Sequence, residues 1–156
     1  MLPTVQWEDT TVSFLPGDDP GRAGRPVYAA LVFATINHKF VLADIAGRGW
    51  CIPGGRIEPG EEPEVAARRE ALEEIGAVLG PLRILGTFTL SNSIQSRAAI
   101  AFTAGITSLG ERTARGEALG VREVSIDELP SVYYRWDPLL AGVFKLAAEQ
   151  AYLPGC

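Results

Sequence analysis

Hydrophobic and polar positions along this chain predict strands on either side of one strongly punctuated helix, and a second helix near the end. Val5 to Leu15 carry β-branched and aromatic residues (Val5, Trp7, Thr10, Thr11, Val12, Phe14) and predict one or two short strands. Pro16 to Pro26 is a loop rich in Pro and Gly. Val27 to Ile36 is almost uninterrupted apolar sequence, as expected of a central strand covered on both faces. Asn37-His38 predicts a tight turn, with Lys39 to Ile45 returning as the next strand. Leu82 to Leu90 and Ala98 to Ile106 both alternate and predict strands joined through Ser91 to Ser96. Gly110 to Gly120 is a polar loop, Val121 to Ile126 a short strand, and Asp127 to Pro130 a brief turn or helix. Asp137 is a sound N-cap with Pro138 in the first position, and Leu139, Leu140, Val143, Phe144 and Ala147 form one apolar stripe of a final helix.

The central helix is bracketed by Pro63 and Gly76. Pro suits a first turn, where its missing N–H would be unpaired anyway, and Gly suits the position past the end, because it tolerates positive φ. At 100° per residue Val65, Leu72 and Ile75 fall within about a quarter-turn, with Glu70, Glu73 and Glu74 nearly opposite. Like charges three and four residues apart repel by a few tenths of a kcal/mol per pair. Three converging carboxylates therefore either form a solvated acidic face, the commoner reading of the triplet alone, or hold a hard divalent cation such as Mg²⁺.

The composition narrows the class. With 156 residues and 47% hydrophobic content the chain suits one domain, residues 1–156, and 21% charged residues argue against disorder. No apolar run approaches a membrane span, and the N-terminus lacks the features of a signal peptide. Two cysteines, Cys51 and Cys156, do not suggest a disulfide framework, and the expected location is cytoplasmic. A net charge of −5 argues against a stable nucleic-acid partner, and polyphosphate substrates would need a metal to offset repulsion. His38 is the only histidine, which excludes a multi-histidine zinc site.

Wider spacing changes the meaning of the glutamates. Gly55, Glu61, Arg69-Glu70, Glu73-Glu74 and Gly76 match all seven fixed positions of G-x(5)-E-x(7)-R-E-U-x-E-E-x-G-U. At average residue usage a chance match is on the order of one in a million. This resembles the Nudix box; Ala71 and Ala77 stand where the family usually has larger aliphatics. Order of elements alone leaves several α/β and α+β topologies open. The resemblance implies an α+β fold, the Nudix-type α/β/α sandwich with a mixed β-sheet between helices.

It also implies hydrolysis of a nucleoside diphosphate linked to another group, by water attack at phosphorus with Mg²⁺ or Mn²⁺. Carried over by position, Glu70 and Glu74 would bind metal, Glu73 would bind metal or orient water, and the Gly54 carbonyl would be a further ligand. Gly55, Glu61, Arg69 and Gly76 would support the site, Arg69 by holding Glu73. A general base on a loop near the last strand would correspond to Glu117. Arg48 is a candidate phosphate or base contact, and Trp7, Phe14 and Phe88 are candidates for a nucleobase pocket. The chain looks like the small MutT-like nucleoside-triphosphate pyrophosphatases, including those acting on oxidised nucleotides. ADP-ribose, sugar nucleotides and dinucleoside polyphosphates are the alternative substrates. From other classes come a non-catalytic nucleotide-binding module and an isoprenoid-diphosphate isomerase, for which only Cys51 lies near the box. A monomer or a homodimer is expected.

Overall fold

Apolar faces of strands and helices must be buried against one another, and here they are buried in two layers on either side of one sheet. A computed structural model describes residues 2–111 and 118–151. Its strands are β1 (Val5–Trp7), β2 (Thr10–Pro16), β3 (Val27–Ile36), β4 (Lys39–Ile45), β5 (Gly49–Cys51), β6 (Gly54–Arg56), β7 (Ala77–Leu79), β8 (Arg83–Ser91), β9 (Ser96–Leu109) and β10 (Ala118–Val124). The helices are α1 (Pro63–Ile75), α2 (Leu129–Val132) and α3 (Pro138–Ala151). The main strand order is β1-β2-β8-β9-β3-β4-β10, with β3 and β9 parallel and the other pairs antiparallel. The sheet is therefore mixed, and the architecture is the expected α+β. No described helix is long and apolar enough to cross a membrane.

β3 is almost entirely apolar because both of its faces are covered. Ala30, Val32 and Ala34 share a cluster with Ala66, Ala67, Ala71 and Ile75 of α1. Ala29 and Phe33 share the opposite cluster with Leu139, Val143, Phe144 and Ala147 of α3. Successive strand residues point to opposite faces, so one apolar run supplies two cores.

The hairpin forms at Asn37-His38 with positive φ at both residues, 51° and 60°, as a primed turn requires. Beyond two register pairs, Thr35↔Phe40 and Ile36↔Lys39, the strands splay. β6 pairs with β3 and β5 pairs with β4, so residues 49–56 enter the gap. That insertion carries Gly54 into the middle of the sheet, opposite Leu31.

Several expectations change in detail. A short β7 follows α1 directly and pairs with a β9 longer than Ala98 to Ile106. β10 starts at Ala118 and ends at Val124. The loop before β3 includes a 3-10 turn at Pro20–Ala23, capped by Asp19.

The largest correction concerns α1. Its apolar arc is not the packing face: Val65 is 53% and Leu72 42% exposed, and of the three only Ile75 is buried. The buried arc is Ala66, Ala67, Ala71, Glu74 and Ile75. Three alanines let α1 lie close to a sheet face formed by Ala30, Val32, Ala34, Ile100 and Phe102, and a hydrogen bond from the Gly54 N–H to Glu74 joins helix to sheet. The alanines at positions 71 and 77 acquire a reason here, since both are buried.

Candidate active site at the start of α1 and the adjoining cleft

Glu74 organises the acidic side. It is 8% exposed, and its Oε1 accepts a hydrogen bond from the Gly54 N–H at 2.9 Å. Gly54 can be nothing larger, because a Cβ there would collide with Leu31 and with the Ala30 carbonyl oxygen. A Cβ on Gly55 would overlap the Glu70 carboxylate, so Glu70 rests directly on bare backbone. At the far end of α1, Gly76 takes φ 67° and its N–H bonds back to the Ala71 and Leu72 carbonyls.

Arg69 is the resident cation of this face. Its Nε and one terminal nitrogen donate to the two Glu61 oxygens at 2.8 and 3.0 Å. Another terminal nitrogen donates to Glu70 at 2.9 Å and lies 3.5 Å from Glu73. The guanidinium also reaches the Arg56 carbonyl oxygen at 3.1 Å. Arg69 thus does meet Glu73, but its firm bidentate partner is Glu61, with Glu70 next. The hydrogen bonds from Arg69, and one from the Glu58 N–H, lower the Glu61 carboxyl to about 2. Desolvation pushes the Glu70 carboxyl above its ordinary value, with Arg69 pulling against it and Glu73 adding to the rise.

Glu70, Glu73, Glu74 and the Gly54 carbonyl offer oxygen donors only, two of the carboxylates being seated on glycine backbone. That donor set fits Mg²⁺ or Mn²⁺, and Zn²⁺, with its preference for N and S ligands, less well. Among the described residues no three Asp, Glu, His or Cys side chains close into a compact cage. The acidic group is an open face. Glu117 lies outside the described residues.

On the α3 side of the sheet a cleft of ≈ 230 Å³ is walled by Trp7, Tyr28, Leu31, Phe88, Tyr133 and Tyr134, and it extends to Arg48, Cys51 and Gly54. Three predicted residues, Arg48, Trp7 and Phe88, therefore come together. Phe14 does not join them: it is buried behind the wall, edge-on to Phe88 with ring centroids 4.8 Å apart, where it serves as core. The sequence reading missed Tyr28, Tyr133 and Tyr134. The run Tyr133-Tyr134-Arg135-Trp136 was a visible signal, since aromatics interleaved with a cation are uncommon on a merely solvated connection.

The cleft wall is tied to the inserted segment. Ile52 N–H donates to the Tyr133 hydroxyl at 3.3 Å, and Tyr134 N–H donates to the Trp50 carbonyl at 2.9 Å. Val32 N–H then holds the Pro53 carbonyl at 3.0 Å. Burial raises the Tyr133 hydroxyl well above its ordinary range. Burial likewise pushes the Cys51 thiol up, against the pull of Arg48. A neutral thiol is a poor nucleophile, which weighs against isomerase chemistry at Cys51. The cleft and the acidic face meet at Gly54, which lines one and donates its amide to the other.

The RNA pyrophosphohydrolase of Rickettsia africae (strain ESF-5) is 38% identical over 74 residues, 46% of either chain. A Bacillus subtilis (strain 168) protein provisionally named 8-oxo-dGTP diphosphatase is 40% identical over 57 residues, 36% of either chain. The chain thus matches less than half the length of these curated relatives. The crystal structure of Bacillus subtilis pyrophosphohydrolase BsRppH superposes with a TM-score of 0.73 at 22% identity, covering 92% of this chain and 93% of that one. A NUDIX hydrolase from Nitrosomonas europaea gives 0.65 at 22%, covering 81% and 90%. At these identities the two structures bear on the fold alone. A family model described as NUDIX domain matches residues 25–145, and with the box glutamates seated on Gly54 and Gly55 the chain belongs to the NUDIX family.

Proposed function

We propose that this chain is a metal-dependent pyrophosphohydrolase that converts a nucleoside 5′-triphosphate into its monophosphate and pyrophosphate. The observation carrying the reading is the meeting of an aromatic cleft and an acidic, metal-suited face at a single residue, Gly54. A nucleobase between Trp7 and the tyrosines would direct its phosphates toward Glu70, Glu73 and Glu74. The names of the relatives, an RNA pyrophosphohydrolase and an 8-oxo-dGTP diphosphatase, support pyrophosphate-bond hydrolysis on a nucleotide.

Bound Mg²⁺ or Mn²⁺ would neutralise phosphate charge and polarise the scissile anhydride. Glu70, Glu74 and the Gly54 carbonyl would hold it, and Glu73 would hold it or orient the attacking water. Arg69 holds Glu70 and lies beside Glu73, while the Gly54 N–H holds Glu74. Glu117 is the proposed base that takes the proton from water as the new P–O bond forms and the P–O–P bond breaks. Arg48, exposed beside Cys51, would meet a phosphate.

Hydrolysis in ¹⁸O-labelled water with mass analysis of both products tests the reading. Pyrophosphate plus monophosphate is the expected outcome, and the labelled product identifies the attacked phosphorus. Orthophosphate alone from every triphosphate would overturn it. Strong preference for ADP-ribose, a sugar nucleotide or a dinucleoside polyphosphate would keep the chemistry and change the substrate.

A further inference from the structure

The N-cap of α3 does more than end its helix. Asp137 Oδ1 accepts from the Leu140 N–H at 2.8 Å, and the Asp137 carbonyl accepts from the Ala141 N–H at 3.0 Å, which together complete the cap. Serine or asparagine would cap as well. An aspartate has a second oxygen, and here Oδ2 accepts from Trp7 Nε1 at 2.7 Å, across 130 residues of chain. A carboxylate acceptor makes such a bond short and strong.

Trp7 needs that support because of where it sits. β1 is three residues long and pairs, among the described strands, with β2 alone. Trp7 is its last residue, opposite Thr10, and the turn that follows carries Glu8 at φ 57°. A hairpin this short is marginal by itself and fixes the two torsions of an indole poorly. Contacts from α3 and the residues before it supply the rest. The Asp137 carboxylate holds the ring by its edge, and the Arg135 guanidinium carbon lies over the ring, 5.0 Å from its centroid. Further along α3, a Cβ on Gly142 would overlap the Leu2 side chain, so the segment leading into β1 lies against the same helix.

Trp7 is also a wall of the aromatic cleft, which Asp137 does not line. With its N–H engaged by Asp137, the indole offers the cleft ring surface and no donor. We infer that Asp137 is a positioning residue for nucleotide binding, holding the Trp7 ring in the orientation against which a base stacks. This rests on the pyrophosphohydrolase reading above and adds to it a residue that acts through another. A loosened indole weakens ground state and transition state alike, which raises KM and leaves kcat in place. A bond that served stability alone would move neither.

The test is Asp137→Ser, which keeps a capping oxygen for α3 and removes the acceptor for Trp7. For the nucleoside triphosphate cut best, at saturating Mg²⁺, KM is expected to rise about fivefold, part of what a whole stacking contact contributes, with kcat within about twofold. Because the cap is retained, the melting temperature should fall by less than about 5 °C. A larger fall brings in Asp137→Asn, whose one carbonyl oxygen caps the helix while its amide meets the indole N–H donor to donor. The three tryptophans give three indole N–H signals by NMR. The signal lost in Trp7→Phe is expected to shift, and to exchange faster with solvent, in Asp137→Ser. Trp7→Phe removes the N–H but keeps a ring, so adding Asp137→Ser to it should change KM by less than about twofold. An unchanged KM in Asp137→Ser, or an equal rise in the Trp7→Phe background, would overturn the inference while leaving the hydrolase reading standing. If the unaltered enzyme cuts no triphosphate, the hydrolase reading fails, and the positioning is judged by calorimetry with ATP and GTP themselves. Binding about fivefold weaker in Asp137→Ser then sustains it. Equal binding, or none by the unaltered protein, overturns it.

Discussion

The acidic face of α1 and the aromatic cleft under α3 are built in opposite ways. The first comes from one continuous stretch, Gly54 to Gly76, in which local spacing sets almost every contact. The second is assembled from β1, β3, β8 and the connection between α2 and α3, residues far apart in sequence. The contiguous face is charged and tolerates little change, because bare backbone at Gly54 and Gly55 is in contact with carboxylates. The dispersed cleft is aromatic and adaptable, since a ring face accepts many bases. The proposed function assigns the chemistry to the first region and the selectivity to the second.

The largest effect expected from that division is on rate. Glu74→Gln keeps an acceptor for the Gly54 N–H yet removes a charge, and should cost several powers of ten in kcat with the fold preserved. Chelation should abolish turnover of the unaltered enzyme. A variant within threefold of wild type would mean that the carboxylates are a solvated face. Next comes Glu117→Gln, expected to lower kcat by roughly 10²–10⁴ with little change in KM, the range for a lost general base. A loss below tenfold would move that role to Glu73 or Glu111.

Smaller effects separate lining from support in the cleft. Trp7→Ala should raise KM about tenfold, as the loss of one stacking contact would. Phe14→Leu should lower the melting temperature without a change in KM, because Phe14 stands behind Phe88. A raised KM in Phe14→Leu would return it to the substrate wall.

On α1 itself the contrast is one of stability. Ala71→Leu should destabilise by about 1–3 kcal/mol through overpacking. Leu72→Lys, its exposed neighbour, should stay within about 0.5 kcal/mol. Denaturant unfolding measures both, and equal losses would mean that the helix is rotated from the orientation described.

The smallest expected effect is on acid stability. The Glu61 carboxyl is lowered from 4.5 to about 2 by Arg69, so its contribution is present above its unfolded value and fades as pH falls from about 4.5 toward 2. Glu61→Gln should lower the melting temperature slightly at pH 7 and leave it level with wild type near pH 2. A gap of the same size at both pH values would assign the loss to packing.

Sequence by itself determined what depends on neighbours along the chain. Pro63 and Gly76 bounded α1 to the residue, because caps act within one turn. Asn37-His38 gave the hairpin, Asp137 capped α3, and the spacing of Gly55, Glu61, Arg69, Glu70, Glu73, Glu74 and Gly76 identified the family. Tertiary structure alone decided which arc of α1 is buried. Apolarity pointed to Val65, Leu72 and Ile75, but packing against the sheet buried Ala66, Ala67, Ala71, Glu74 and Ile75 and left Val65 and Leu72 toward solvent. It also decided the parallel pairing of β3 with β9 and the opening between β3 and β4 that accepts residues 49–56. The cleft followed from those pairings. Tyr28, Tyr133 and Tyr134 have no periodicity in common, and only the folded sheet, with α3 packed against it, brings their rings to one place.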